Sequence, residues 1–264
     1  MSLIEIIILG VLQGLTEFFP VSSSGHLVLF QNLFGLKEPQ IFADVMLHVG
    51  TLLSLLVFLR RDLLELARGF FLFFRNPKKF SNDPRIKLIF ALVLASIPTA
   101  LIGYLFSDSF ESLFASLRAV GWALILTGIY LFLTKFTKEK KRNFFSHPLI
   151  IGFLQGAAIV PGFSRSGLTI GGALFLGWKR EEAARFSFLL SIPAILGAAL
   201  FQFHKIDTGS QPWSILLTGA VVSAIFGYLA LTLLVSAIQR GRFYSFSFYC
   251  LFAGLTALTV SFFI

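Results

Sequence analysis

A chain of 264 residues that is 56% hydrophobic and 16% aromatic, with 13% charged residues, is not a water-soluble globular domain. Such domains carry about twice as much charge. The net charge of +9 does not point to nucleic acid, because the positive residues sit in short stretches between apolar spans, which is a membrane-topology signal. The composition specifies an all-α, polytopic integral membrane protein with no separate soluble domain. The single Cys250 excludes a disulfide within the chain, and the start Met1-Ser2-Leu3-Ile4-Glu5 lacks the basic region of a cleaved signal.

In chain order, residues 3–34 are an apolar segment broken by Pro20 and by Ser22-Ser23-Ser24-Gly25. Its arms, 3–18 and 23–34, are each shorter than the roughly 20 residues a span needs. They read as a re-entrant helical hairpin, tolerated where protein or a water-filled cavity covers the turn. A span is predicted at 41–59, then a basic stretch at 60–87, then spans at 86–106 and 113–134 with the acidic loop 107–112 between them. Lys135 to Arg142 is basic. Residues 147–177 form a second broken apolar segment around Pro161, closed by the charged patch 178–182. Spans at 184–203, 213–237 and 244–263 complete six crossings and two hairpins.

Eighteen of the 22 Lys and Arg lie in 60–87, 135–142, 178–185 and 238–243. The positive-inside rule assigns these stretches to the cytoplasm and both termini to the outside. The first hairpin then enters from outside and the second from the cytoplasm. A shift of 142 residues superposes Gly10, Leu12, Gln13, Gly14, Ser22, Ser24 and Gly25 on Gly152, Leu154, Gln155, Gly156, Ser164, Ser166 and Gly167. The chain therefore reads as two repeats, about 1–140 and 141–264, each a hairpin plus three spans. An odd number of crossings inverts the second copy, the architecture of transporter folds with a midplane site.

The hairpin turns carry the chemistry. Pro161-Gly162-Phe163-Ser164-Arg165-Ser166-Gly167-Leu168-Thr169 places an arginine in an apolar region, where charge is costly and marks function. A guanidinium fork suits phosphate oxygens, and a small-residue turn entering a helix offers N–H groups to an anion. The plainer alternative is a helix break whose arginine faces a water-filled crevice. Gln13 and Glu17 share a helix face at i and i+4. Together they suit a hard cation such as Mg²⁺ or Ca²⁺; the alternative, that Glu17 only neutralises Arg165, is compatible with that role. His26 is a nucleophile or acid–base candidate, or a hydrogen-bonded structural residue. Ser22, Ser23 and Ser24 include a natural helix N-cap. Asp44 and His48, also i and i+4, are a weak metal signal that interface polarity explains equally well. Gln155 reads as the packing counterpart of Gln13.

The run from Gln13 to His26, QGLTEFFPVSSSGH, resembles the first signature of the undecaprenyl-diphosphate phosphatase (bacitracin-resistance) family, and 161–169 resembles its second. The likeness extends over the whole chain. One departure is Gln13, where many members carry glutamate, which lowers the charge available to a metal. The resemblance implies a phosphatase of the bacterial plasma membrane, opening to the outer face, that converts the C55 isoprenyl diphosphate to the monophosphate carrier lipid for peptidoglycan. It implies Glu17 and Gln13 on the metal or water side and Arg165 as phosphate clamp, with Ser164, Ser166 and Thr169 beside it. Ser23 or His26 would be the nucleophile, and the assembly could be a homodimer. The competing class is a transporter or flippase of a phosphorylated isoprenoid lipid, for which inverted repeats are equally apt.

Overall fold

The computed structural model describes residues 1–36, 40–80, 82–106, 116–139, 146–203 and 212–262. The acidic loop 107–112 and the basic residues 140–142 lie outside the described residues, as do the ends of the spans expected at 113–134 and 244–263. Among the described residues there are helices and no strands. Six helical stretches are long and apolar enough to cross a membrane: Ile41–Phe58, Pro84–Leu105, Leu117–Phe136, Arg180–Leu200, Trp213–Gln239 and Phe243–Val260.

The first broken segment forms α1 (Leu3–Phe18) and α2 (Ser23–Leu33). A capping box starts α1, with Ser2 and Glu5 each satisfying the other's backbone N–H. The approach of Pro20 ends it, since the residue before a proline is driven out of the helical region. The first span is α3 (Ile41–Phe58). It runs almost without a break into α4 (Arg60–Arg75), followed by the short α5 (Pro77–Phe80). Asp83 caps α6 (Pro84–Leu105), with Pro84 at its first position. Next come α7 (Leu117–Leu133), α8 (Ser146–Ala157) and α9 (Arg165–Phe175). The last spans are α10 (Arg180–Phe203), α11 (Trp213–Gln239) and α12 (Phe246–Val260).

α4 differs from the plain basic stretch expected at 60–87. Arg61, Arg68 and Arg75, seven residues apart, share one face of the helix. Leu66 and Gly69 pack inward against α6, and Phe70, Phe71 and Phe74 are exposed. The charges that mark a loop by composition are here one side of an amphipathic helix.

The bundle encloses a group of polar side chains within an otherwise apolar core, and its outer surface is apolar as well. Gln13, Glu17, His26, Ser164, Ser166, Thr169 and Ser187 are buried, while Leu53, Phe90, Trp122, Ile225 and Phe252 are exposed. In water this would be unstable; in lipid the outer residues face a matching solvent. Without a hydrophobic drive between helices, close packing of small residues holds such a bundle together. α1 packs on α11, and α8 packs on α6. α3 also packs on α11, and α7 on α12. A Cβ added at Gly50 would lie 2.1 Å from the Ala220 carbonyl oxygen, and one at Gly152 would lie 2.1 Å from that of Ala95. Both contacts are backbone to backbone, so a side chain forces the helices apart. Gly50→Ala and Gly152→Ala should each destabilise the protein by about 1–3 kcal/mol, the usual cost of overpacking. Thermal unfolding in one detergent would read this as a lowered midpoint.

Candidate active site

The two broken segments meet at their turns. Ser22 has φ +67 and ψ 95, and it is the only non-glycine at positive φ among the described residues. Strain of this kind costs about 1–3 kcal/mol and persists where surrounding contacts enforce it. Here its Oγ accepts from Gly25 N at 3.3 Å and from Gly162 N, in the other turn, at 3.1 Å. Ser164 caps α9 in the equivalent way, accepting from Gly167 N at 3.0 Å. Ser166 Oγ donates across to the Phe19 carbonyl at 3.2 Å. Gly162, at φ +96, has no room for a side chain, because a Cβ would lie 2.5 Å from the Val120 carbonyl oxygen. Two hydrogen bonds therefore lock the turns together, and the close approach at Gly162 seats the second turn on α7.

This locking sets four polar side chains around one carboxylate. Arg165 Nη2 donates to Glu17 Oε1 at 2.5 Å. Glu17 Oε2 accepts from Ser23 Oγ at 2.7 Å and from Gln13 Nε2 at 2.9 Å. His48 Nε2 stands 3.6 Å from the same oxygen. Glu17 has a relative exposure of 8% and Gln13 is fully buried. Such a pair is tolerable in a low-dielectric interior because every charge has a partner and hydrogen bonds complete it. Within this cluster two polar atoms remain unsatisfied: Arg165 Nη1 and Gln13 Oε1 are buried without a hydrogen-bond partner. A buried unmatched donor and acceptor in one cluster is costly unless a ligand takes them up.

The other expected residues are placed differently. His26 is buried on α2, with Nδ1 2.7 Å from the Ser22 carbonyl oxygen and Nε2 2.6 Å from Tyr249 Oη. Thr169 Oγ1 donates to the Arg165 carbonyl at 2.8 Å and lies 2.5 Å from Ser187 Oγ, so it braces α9 against α10. Ser164 and Ser166 hold the turn. Asp44 Oδ1 accepts from Gln31 Nε2 at 2.7 Å, while His48, one turn on, reaches Glu17. Gln155 donates to Thr99 Oγ1 at 3.2 Å, away from the carboxylate.

His48 and Tyr249 are the partners that sequence reading missed as site residues. His48 has a signal in its i, i+4 spacing from Asp44, but its neighbour Glu17 comes from tertiary packing. Tyr249 has none.

The donors suit a hard cation. Glu17 supplies carboxylate oxygen, and the unsatisfied Gln13 Oε1 supplies a neutral oxygen, the ligand type that Mg²⁺ and Ca²⁺ prefer. Among the described residues no group of three or more His, Cys, Asp or Glu could hold a metal by itself. A cation here needs oxygens from a substrate, as Mg²⁺ commonly does.

Residues 6–256 match the family model for bacitracin resistance protein BacA. The undecaprenyl-diphosphatase of Desulfatibacillum aliphaticivorans is 42% identical over 99% of this chain and all of its own length. That of Halothermothrix orenii is 39% identical over 99% of both chains. That of Desulfosudis oleivorans is 42% identical over 98% of this chain and 99% of its own.

Proposed function

This chain belongs to the bacitracin resistance protein family, and from that premise we propose that it is an undecaprenyl-diphosphatase. It removes the terminal phosphate of the C55 isoprenyl diphosphate and returns the monophosphate carrier lipid to peptidoglycan synthesis, which underlies bacitracin resistance. The observation that carries this reading is the cluster of Arg165, Glu17 and Ser23, with Arg165 Nη1 buried and unmatched. A phosphate oxygen is the natural acceptor for that donor, since guanidinium–phosphate pairs are charge-assisted and bidentate.

In the mechanism we favour, Arg165 orients the terminal phosphoryl group and balances the charge that grows on it. Ser23 Oγ, held on Glu17, attacks phosphorus. The phosphoanhydride P–O bond breaks, and the serine proton passes through the carboxylate to the departing lipid monophosphate, which leaves Glu17 ionised for the second step. Water then cleaves the phosphoserine, with Glu17 as base. Ser23 is favoured over His26 as nucleophile because both ring nitrogens of His26 are hydrogen-bonded away from Glu17. A Mg²⁺ or Ca²⁺ ion would be held by Glu17 and Gln13 and would offset the negative charge of the diphosphate.

The architecture we infer for this site is an inverted repeat, 1–140 and 141–264, each half a re-entrant hairpin plus three spans. The matched caps of Ser22 and Ser164 support it, as do the matched pairings of α1 with α11 and α8 with α6. The arginine and lysine asymmetry puts 60–87 and 135–142 in the cytoplasm and opens the site to the outer face of the bacterial plasma membrane. The protein would act there as a monomer or homodimer. In a Cys250-free background, a cysteine at Lys138 should resist an impermeant thiol reagent in intact cells. Labelling there would reverse the orientation.

The inverted arrangement also favours a second reading, transport of a phosphorylated isoprenoid lipid. Phosphate release from C55 diphosphate by the purified protein in detergent separates the two. A phosphatase releases one phosphate per substrate, and a transporter releases none.

A further inference from the structure

The surroundings of His26 point to a further participant. The Ser22 carbonyl oxygen, 2.7 Å from Nδ1, can only accept, so Nδ1 must carry the proton. Nε2 then holds the lone pair of the neutral ring. The Tyr249 hydroxyl, 2.6 Å away, is the donor to it. The phenol ring also stacks on the imidazole, with centroids 5.6 Å apart and planes 15° apart. Tyr249 is itself held in place: the next residue, Cys250, donates its thiol to the Pro20 carbonyl at 3.2 Å, tying α12 to the turn that carries Ser22. Both ring nitrogens and one ring face of His26 are thus fixed from two elements far apart in sequence.

We propose that Tyr249 is a positioning residue that presets His26 for proton transfer during phosphate release. The proposal rests on the phosphatase reading and adds His26 to it as a proton carrier beside Glu17. With Nδ1–H already donating to a carbonyl, the imidazolium formed when Nε2 takes a proton is stabilised without rearrangement, the role an orienting acceptor plays beside a general base. The phenol holds Nε2 in one orientation until the substrate arrives. Its O–H then turns away, and Nε2 carries the proton that Glu17 takes from Ser23 until the departing lipid monophosphate receives it. No bond other than hydrogen bonds changes at Tyr249.

Tyr249→Phe removes one oxygen and keeps the ring stack. Purified Tyr249→Phe in detergent should show kcat lowered roughly tenfold, part of the 10²–10⁴ that an acid–base group supplies, with KM unchanged. In a sample with ¹⁵N-labelled histidine, the His26 Nε2 signal, assigned by its loss in His26→Ala, should move toward that of a free basic nitrogen. Nδ1 should remain protonated. In the His26→Ala background, Tyr249→Phe should have no further effect on kcat. An unchanged kcat in Tyr249→Phe beside a crippled His26→Ala would overturn the role of Tyr249 and leave that of His26 standing. Full turnover in His26→Ala would overturn both. A loss from Tyr249→Phe that is equally large without His26 would make the tyrosine a packing residue only.

Discussion

Arg165→Lys is expected to lower kcat by about 10²–10³, nearly as much as Arg165→Ala, by analogy with loss of one donor to a developing oxyanion. That range corresponds to about 2.7–4 kcal/mol of transition-state stabilisation. The structure gives two reasons why a second cation will not serve. Arg165 divides its donors, Nη2 to Glu17 and Nη1 to no protein atom. Lysine has one ammonium centre, so it can hold the carboxylate or reach the phosphate but cannot present a flat fork to both. The unmatched Nη1 also marks the direction of the ligand, because leaving a buried donor without a partner destabilises the free protein. Turnover of the two variants under saturating substrate, with folding checked by thermal midpoint, decides the point. A lysine variant with most of the wild-type kcat would make Arg165 a structural partner of Glu17.

Glu17→Gln should nearly abolish turnover, by at least as large a factor. The amide keeps the shape but loses three things together: the base for Ser23, the counter-charge of Arg165, and the negative charge that would hold a divalent ion. Removing one partner of a buried ion pair leaves the other charge uncompensated, so Arg165 should also be displaced. Gln13→Glu should behave in the opposite way. It replaces the unsatisfied amide oxygen with a second carboxylate beside Glu17. Two carboxylates at that spacing repel unless a cation or a proton lies between them. The variant should therefore remain active with Mg²⁺ or Ca²⁺ present and lose activity more readily under chelation than the wild type. Titrating chelator against wild type and Gln13→Glu measures this. Full wild-type activity in excess chelator, after verified removal of metal, would leave Glu17 as a proton-transfer group alone.

Much of the arrangement is legible in the sequence, for physical reasons that can be named. A span of about 20 uncharged apolar residues has few alternatives to a membrane helix, so the described parts of the six spans lie within a few residues of where they are expected. The meeting of the two turns was also legible. Proline, glycine and capping serines break a helix by local rules, and an isolated arginine and glutamate at the breaks need one another. α4 was not legible by composition, because its arginines suggest a loop until their seven-residue spacing is placed on a helix. His48 and Tyr249 were out of reach for another reason. Their roles depend on which helices lie side by side, and the close approaches at Gly14 and Gly50 to α11 are set by tertiary packing. Nothing local to Tyr249, in an apolar helix with no polar stripe, connects it to His26.

The central claim is that the two turns form one catalytic unit, with Glu17 from the first and Arg165 from the second. The most direct measurement is a double-mutant cycle in kcat for phosphate release from the C55 diphosphate, using Glu17→Gln, Arg165→Lys and the double variant. Residues that act as a unit are strongly non-additive. The double variant should be no slower than the worse of the two single variants. Losses that multiply would mean that Glu17 and Arg165 act independently, and would contradict the account.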